Sequence, residues 1–218
     1  MEWRLLQDVP GEDVRLLLTI ARRRRFDRGE VVYHQDDPAD SLHLISGGRF
    51  LVRVATQLGD TLTLAMFGPG EIFGEMALVG AEPRRSATVE ALEPSETFAV
   101  YQTDFERLRQ QHPSIDRVLI ALLAGEVRAL NERLLEAFYV PAEKRILRRL
   151  ADLAAVFGAN PQQPTELPLT QEDLATFAGT SRATVNQVLR EEQKRGTVEL
   201  RRGRTLIVDL EALQKRGR

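Results

Sequence analysis

An α+β chain is predicted, built from an N-terminal antiparallel β-roll, a long helix and a C-terminal winged helix-turn-helix, and three features of the sequence predict it. Turn residues cut the chain every eight to twelve positions between Phe26 and about Val100. After Pro113 they thin out for nearly thirty positions. Beyond Lys144 two short helical patterns are followed by a hairpin signal. The expected domains are 1–112 for the roll, 113–140 for the long helix and 141–218 for the winged helix-turn-helix.

Residues 4–24 read as a helical stretch ahead of the roll. The roll is punctuated by Arg28-Gly29, Asp36-Asp37-Pro38, Gly47-Gly48, Leu58-Gly59-Asp60, Gly68-Pro69-Gly70, Gly80 and Glu93-Pro94. Between these turns lie β-branched and apolar runs at 31–33, 42–45, 50–54 and 61–67, the pattern of short antiparallel strands. Pro113 suits the first turn of a new helix. Within that helix Ile120, Leu123, Val127, Leu130, Leu134 and Ala137 repeat at 3-4 spacing, an a/d seam, while Val118, Leu119 and Leu122 can pack on the roll. Two apolar stripes on one helix favour a homodimer over a helix buried within a single chain.

Pro141 interrupts this helix, and a new helical pattern runs from Lys144 to Leu153 before a polar, proline-rich linker from Gly158 to Pro168. Two short helices flank Ala178-Gly179-Thr180, and a hairpin turns at Arg201 to Arg204. Helix, turn, helix and hairpin in that order define a winged helix-turn-helix, a DNA-binding arrangement.

Composition narrows the chemistry. The chain has no cysteine, which excludes disulfides, thiolate zinc sites, iron–sulfur clusters and cysteine nucleophiles. Its net charge is −2, but residues 142–218 carry 14 Lys/Arg against 10 Asp/Glu, so the positive half is the one expected on nucleic acid. The first ten residues are too polar for a signal peptide and no apolar run is long enough to span a bilayer, so a cytoplasmic protein with no membrane partner is expected. A cupin-like metalloenzyme would need clustered histidines, and the roll has only His34 and His43, so no enzymatic activity is expected. A haem sensor would have to draw its axial ligands from His34, His43 and His112 alone.

The candidate ligand site is Phe73 to Leu78 followed by Pro83 to Ala87. Gly74 permits close backbone approach, and the short helix begun by Glu75 aims N–H groups at an anion. Arg85 offers a guanidinium fork, Ser86 a hydroxyl donor and Glu75 an acceptor for a sugar hydroxyl, a set suited to a phosphate joined to a ribose. The same residues also permit a plain Glu75–Arg85 salt bridge between strands.

In the candidate DNA interface, Thr170 and Asp173 form a capping-box-like start to the first short helix, with Gln171 beside it, and Ser181 can cap the second. Val185, Val188 and Leu189 supply the buried face, leaving Arg182, Ala183, Asn186, Gln187 and Arg190 on or near the outer one. On the wing, Arg201, Arg202 and Arg204 can add phosphate contacts.

Phe26 to Gly48, Phe67 to Glu75, the long helix and the C-terminal third together resemble the family of cAMP receptor proteins and their FNR-type relatives, in the right order along nearly the whole chain. The resemblance implies a cyclic nucleotide, cAMP foremost, as an effector rather than an obligatory cofactor. It implies Gly74, Glu75, Met76, Arg85, Ser86 and Asn131 as its binding residues, and Thr170, Gln171, Ser181, Arg182, Ala183, Asn186, Gln187, Arg202 and Arg204 at DNA. Double-stranded DNA, a second copy of the chain and RNA polymerase are the implied partners, with effector binding transmitted about Phe138 to Ala142. The family reads the adenine amino group with a threonine and a small polar residue on the long helix, where this chain has Leu130 and Asn131. That departure leaves an effector-independent regulator open. Arg182 matches the guanine-reading arginine, while Ala183 replaces a glutamate and Gln187 a second arginine. Asp36 stands where relatives have glycine, at a turn whose positive φ aspartate tolerates.

Overall fold

A computed structural model describes residues 3–55, 61–79, 83–158 and 163–218. The expected turns at Leu58-Gly59-Asp60 and Gly80 lie outside the described residues. The chain forms two compact units, Met1–Thr61 with Met66–Asn131, and Leu62–Ala65 with Glu132–Arg218. No helix among the described residues is long and apolar enough to cross a membrane.

A 3₁₀ turn at Arg4–Leu6 and helix α1 (Gly11–Thr19) precede eight strands, all in the first unit except Leu62–Ala65 of the fifth: β1 (Arg22–Phe26), β2 (Val31–Tyr33), β3 (Ser41–Gly47), β4 (Phe50–Ala55), β5 (Thr61–Phe67), β6 (Ile72–Phe73), β7 (Thr88–Ala91) and β8 (Ser95–Tyr101). They pair as two four-stranded sheets of order β1-β8-β3-β6 and β2-β7-β4-β5. The expected helical stretch over 4–24 is thus corrected: its last three residues are arginines on an edge strand, which Arg25 continues. Their side chains stay exposed while the backbone pairs with β8 through Arg22↔Ala99 to Phe26↔Ser95. A solvated edge needs no apolar alternation, so periodicity could not reveal it.

Strand β3 is buried from Ser41 through Ile45 because both of its faces are covered. Leu42 and Leu44 join Ile72, Val100, Phe105, Ile115, Val118 and Leu122 in one core. On the roll interior His43 stacks on Phe73 with ring centroids 4.9 Å apart, and Phe50 packs on Phe26 and Phe73 at 5.7 and 5.1 Å. Asp36 has φ 67°, as expected at its turn.

Helix α2 (Gln102–Gln111) closes the roll, and Pro113 opens a 3₁₀ turn at Pro113–Ile115. The long helix α3 (Asp116–Tyr139) begins only after that turn, later than Pro113 itself suggested. Val118 and Leu122 are fully buried on the roll side of α3. Gly125 is buried where an added Cβ would lie 2.5 Å from Leu5 Cδ2, which accounts for a glycine within this helix despite its cost of about 1 kcal/mol.

The second unit contains the end of α3, helices α4 (Ala142–Val156), α5 (Gln171–Phe177), α6 (Arg182–Lys194) and α7 (Leu210–Gly217), and a three-stranded sheet of order β10-β11-β9. Strand β9 (Thr165–Leu167) lies in the stretch expected to be linker; three residues flanked by prolines are too short to show a period. Strands β10 (Val198–Arg201) and β11 (Arg204–Ile207) form the expected hairpin. Arg145 on α4 donates to the carbonyls of Ala137 and Val140 at the end of α3 (3.2 and 3.0 Å). It also donates to those of Ala178 and Gly179 between α5 and α6 (2.9 and 3.0 Å).

Candidate effector and DNA sites

Gly74 caps the 3₁₀ turn Glu75–Leu78 with φ 80°, a conformation glycine adopts at no steric cost. A Cβ there would also sit 2.9 Å from Arg85 Nη1 and from the Ser41 carbonyl. The glycine therefore serves both the turn and the arginine beneath it. Arg85 is 4% exposed, donates from Nη1 to the Ser41 carbonyl (2.7 Å) and from Nη2 to Asp40 Oδ1 (2.9 Å) and Ser41 Oγ (3.0 Å), and lies 3.8 Å over the Tyr33 ring. Its Nε is buried without a partner among the described residues. The carboxylate paired with Arg85 is Asp40, so the simple Glu75–Arg85 bridge is corrected.

Burial raises the Glu75 carboxyl above its usual range, with the nearby Glu126 charge adding to the rise and Arg85 opposing it. Burial likewise raises the Tyr33 phenol, against the pull of Arg85. Met76 and Ser86 are exposed beside the turn. Asn131 is exposed on α3, and its side chain makes no hydrogen bond among the described residues. A cavity of about 210 Å³ beside Arg85 is lined by Tyr33, Asp40, Ser41, His43 and Tyr101 among others. The support of Arg85 by Tyr33, Asp40 and Ser41 was missed in the sequence, although Asp40-Ser41 directly ahead of an apolar strand is a local mark of a polar anchor.

His43 is held at about 3, well below its ordinary 6.5, by burial first and then by the Arg85 and Arg24 charges, with Asp40 opposing them. The unfolded chain takes up this proton near 6.5 and the folded chain only near 3. The associated stability is complete above the upper value and falls by up to about 1.4 kcal/mol per pH unit as the pH drops through the window. Thermal melts from neutral to acid pH should therefore flatten in His43→Phe, and a wild-type slope retained by the variant would assign the acid lability elsewhere.

In the second unit, Thr170 accepts from the Asp173 N–H and Asp173 accepts from the Thr170 N–H, completing the capping box at 3.1 and 2.9 Å. Ser181 accepts from the Thr184 N–H at 3.2 Å. Gln171 is not free, since its Oε1 accepts from Asn186 Nδ2 at 2.9 Å and ties α5 to α6. Arg182, Ala183, Gln187 and Arg190 are exposed on one side of α6, opposite buried Val185, Val188 and Leu189. On the wing Arg204 pairs with Glu166 at 2.8 Å and Arg201 with Glu199 at 3.1 Å, whereas Arg202 has no ion-pair partner among the described residues. Along α3, Ile120, Val127, Leu130 and Leu134 are 56–65% exposed in the single chain.

A β-roll with an arginine beneath a glycine turn, and a winged helix-turn-helix with an uncovered polar helix face, define a ligand-binding transcription regulator. Residues 23–112 match the cyclic nucleotide-binding domain and residues 144–216 the Crp-like helix-turn-helix domain. The chain is 31% identical to the cyclic AMP receptor protein of Thermus thermophilus over 211 residues, covering 97% of this chain and 95% of that one. It is 31% identical over 198 residues to the CRP-like cAMP-activated global transcriptional regulator of Mycobacterium tuberculosis, covering 88% and 87%. The solved structure of the Thermus thermophilus catabolite activator protein aligns over 98% of this chain and 97% of its own, with a TM-score of 0.54 and 31% identity. The chain belongs to the CRP/FNR family of DNA-binding transcription regulators.

Proposed function

We infer that this regulator is a homodimer whose binding to a palindromic DNA site is controlled by cAMP. In this reading residues 1–112 receive the effector, 113–140 dimerise and 141–218 bind DNA. The observation that carries the effector assignment is the buried Arg85 guanidinium against the Gly74–Glu75 turn with its Nε unspent. A cyclic phosphate supplies the acceptor that Nε lacks, Ser86 adds a donor, Glu75 accepts from the ribose, and Met76 covers the turn. Asn131 offers a carbonyl to the adenine amino group. Relatives named for cAMP, one of them matched along nearly the whole chain, support the same effector.

Dimerisation is supported by the apolar stripe from Ile120 to Leu134, which in a single chain stays in water. Each α6 would enter a major groove with Arg182 forked on guanine O6 and N7 and Ala183, Asn186 and Gln187 beside it. Thr170, Gln171, Ser181, Arg202 and, once released from Glu166, Arg204 would lie along the phosphates. RNA polymerase is the further partner of such a regulator. A constitutive regulator is the second reading, favoured by Asp40 and Ser41 already engaging Arg85 and by Leu130 in place of threonine.

Calorimetric titration with cAMP, with cGMP as control, followed by DNA binding with and without ligand, tests the assignment. Saturable cAMP binding that strengthens DNA binding is expected; binding by neither nucleotide, with DNA affinity unaltered, would favour the constitutive reading. Arg182→Ala should weaken specific binding by about 1–3 kcal/mol and relax preference at one base pair in each half-site. Unchanged operator preference would remove Arg182 from the base-contacting set.

A further inference from the structure

The anion site has two halves, the Arg85 side chain and the backbone turn at Gly74–Glu75, and one buried side chain outside it touches the supports of both. His43 lies within hydrogen-bond distance of Ser41 Oγ through Nε2 (3.2 Å) and of Thr97 Oγ1 through Nδ1 (3.0 Å). Ser41 in turn carries Arg85 on its hydroxyl and its carbonyl. The flat of the His43 ring lies on Phe73, the residue before Gly74, with an interplanar angle of 8°.

The direction of this chain follows from where the Ser41 proton goes. Ser41 has one hydroxyl proton, which it donates to Asp40 Oδ1 at 2.8 Å. Its lone pairs then receive Arg85 Nη2 and the third neighbour, so His43 must donate from Nε2. Nδ1 is left as an acceptor for the Thr97 hydroxyl. Every polar atom of the relay is satisfied in this tautomer, and His43 is 3% exposed, where an unsatisfied group is costly.

We propose that His43, as a neutral Nε2–H imidazole, is a positioning residue that sets the Arg85 guanidinium relative to the Gly74–Glu75 turn and so governs affinity for the anionic effector. This rests on reading Arg85 as the phosphate ligand. The Nε2–H bond holds Ser41 beneath the guanidinium while the stacked ring holds the turn, so a phosphate meets both halves already in place. A phenylalanine keeps the ring and its stacking but loses the relay. Thr97→Val perturbs the same relay from its far end and leaves the ring untouched.

The test begins without ligand. Nitrogen-15 spectra of the histidine side chains should show the Nε2–H tautomer for His43, and the Arg85 Nη signals should be resolved by slow rotation in the wild type and averaged in His43→Phe. With cAMP, both His43→Phe and Thr97→Val should lose about tenfold in affinity, the scale of one hydrogen bond to a charged group. In an Arg85→Leu background neither should have a further effect on residual binding. An Nδ1–H tautomer, or Arg85 signals and affinity unchanged in a folded His43→Phe, would overturn the proposal. If the wild type binds no cyclic nucleotide, the effector assignment fails by itself, and the ligand-free Arg85 signals still decide whether His43 positions the arginine.

Discussion

Arg85→Leu loses cyclic-nucleotide binding by about 10- to 100-fold while the roll stays folded, because the Nε hydrogen bond from a cation to a phosphate is worth about 1.5–3 kcal/mol. The two effects separate for a structural reason. The side chain of Arg85 is 3% exposed, but that of its partner Asp40 is 69% exposed, so removing the arginine strands no carboxylate in the interior. Leucine can cover the Tyr33 ring where the guanidinium lay. The Ser41 carbonyl and hydroxyl each lose one donor, a cost of about 1–2 kcal/mol that a thermal melt would register as a modest shift. Titration calorimetry on the same preparation reads the affinity, and retention of wild-type affinity would remove Arg85 from the site.

Glu192→Ala should destabilise the DNA-binding unit by about 3 kcal/mol, the lower part of the range for breaking a buried ion pair. Glu192 is fully buried on α6, accepts from Thr197 Oγ1 at 2.7 Å and from Arg195 Nη1 at 2.9 Å, and pairs with Arg216 of α7. It therefore joins α6, the residue ahead of β10 and the last helix. The estimate sits low because Arg195 and Arg216 retain contact with water once the carboxylate is gone. Glu192→Gln keeps a partner for Thr197 and should fall between the two. Chemical denaturation of the intact protein measures the effect, and a loss below 1 kcal/mol for the alanine variant would show these bonds to be dispensable.

Much of this architecture was legible because its signals are local. Strand breaks coincide with Gly, Pro and Asp turns; the capping box from Thr170 to Asp173 spans only four residues; the α3 seam shows in spacing alone. Gly74, Glu75 and Arg85 could be nominated for the same reason. What escaped depends on partners far along the chain. Arg85 is paired with Asp40 and stacked on Tyr33, more than forty residues away, and nothing at position 85 announces which carboxylate it takes. His43 was legible as a partly buried structural histidine, but not as a link between Ser41 and Thr97, because that role exists only once β3 lies beside β8. Strands β1 and β9 were hidden by opposite causes, one by a run of solvated charge and the other by its brevity.

Arg145 bears on where the long helix can bend. Its guanidinium grips the last carbonyls of α3 and the carbonyls between α5 and α6, while Glu136 holds Arg148 and Arg149 of α4. A flexure at 138–142 would have to break the bonds that Ala137 and Glu136 make to α4, whereas one nearer the middle of α3 would break none of them. The final turn of the long helix is thus tied to α4 and, through Arg145, to the turn ahead of α6, so it and the helix-turn-helix are held as one piece.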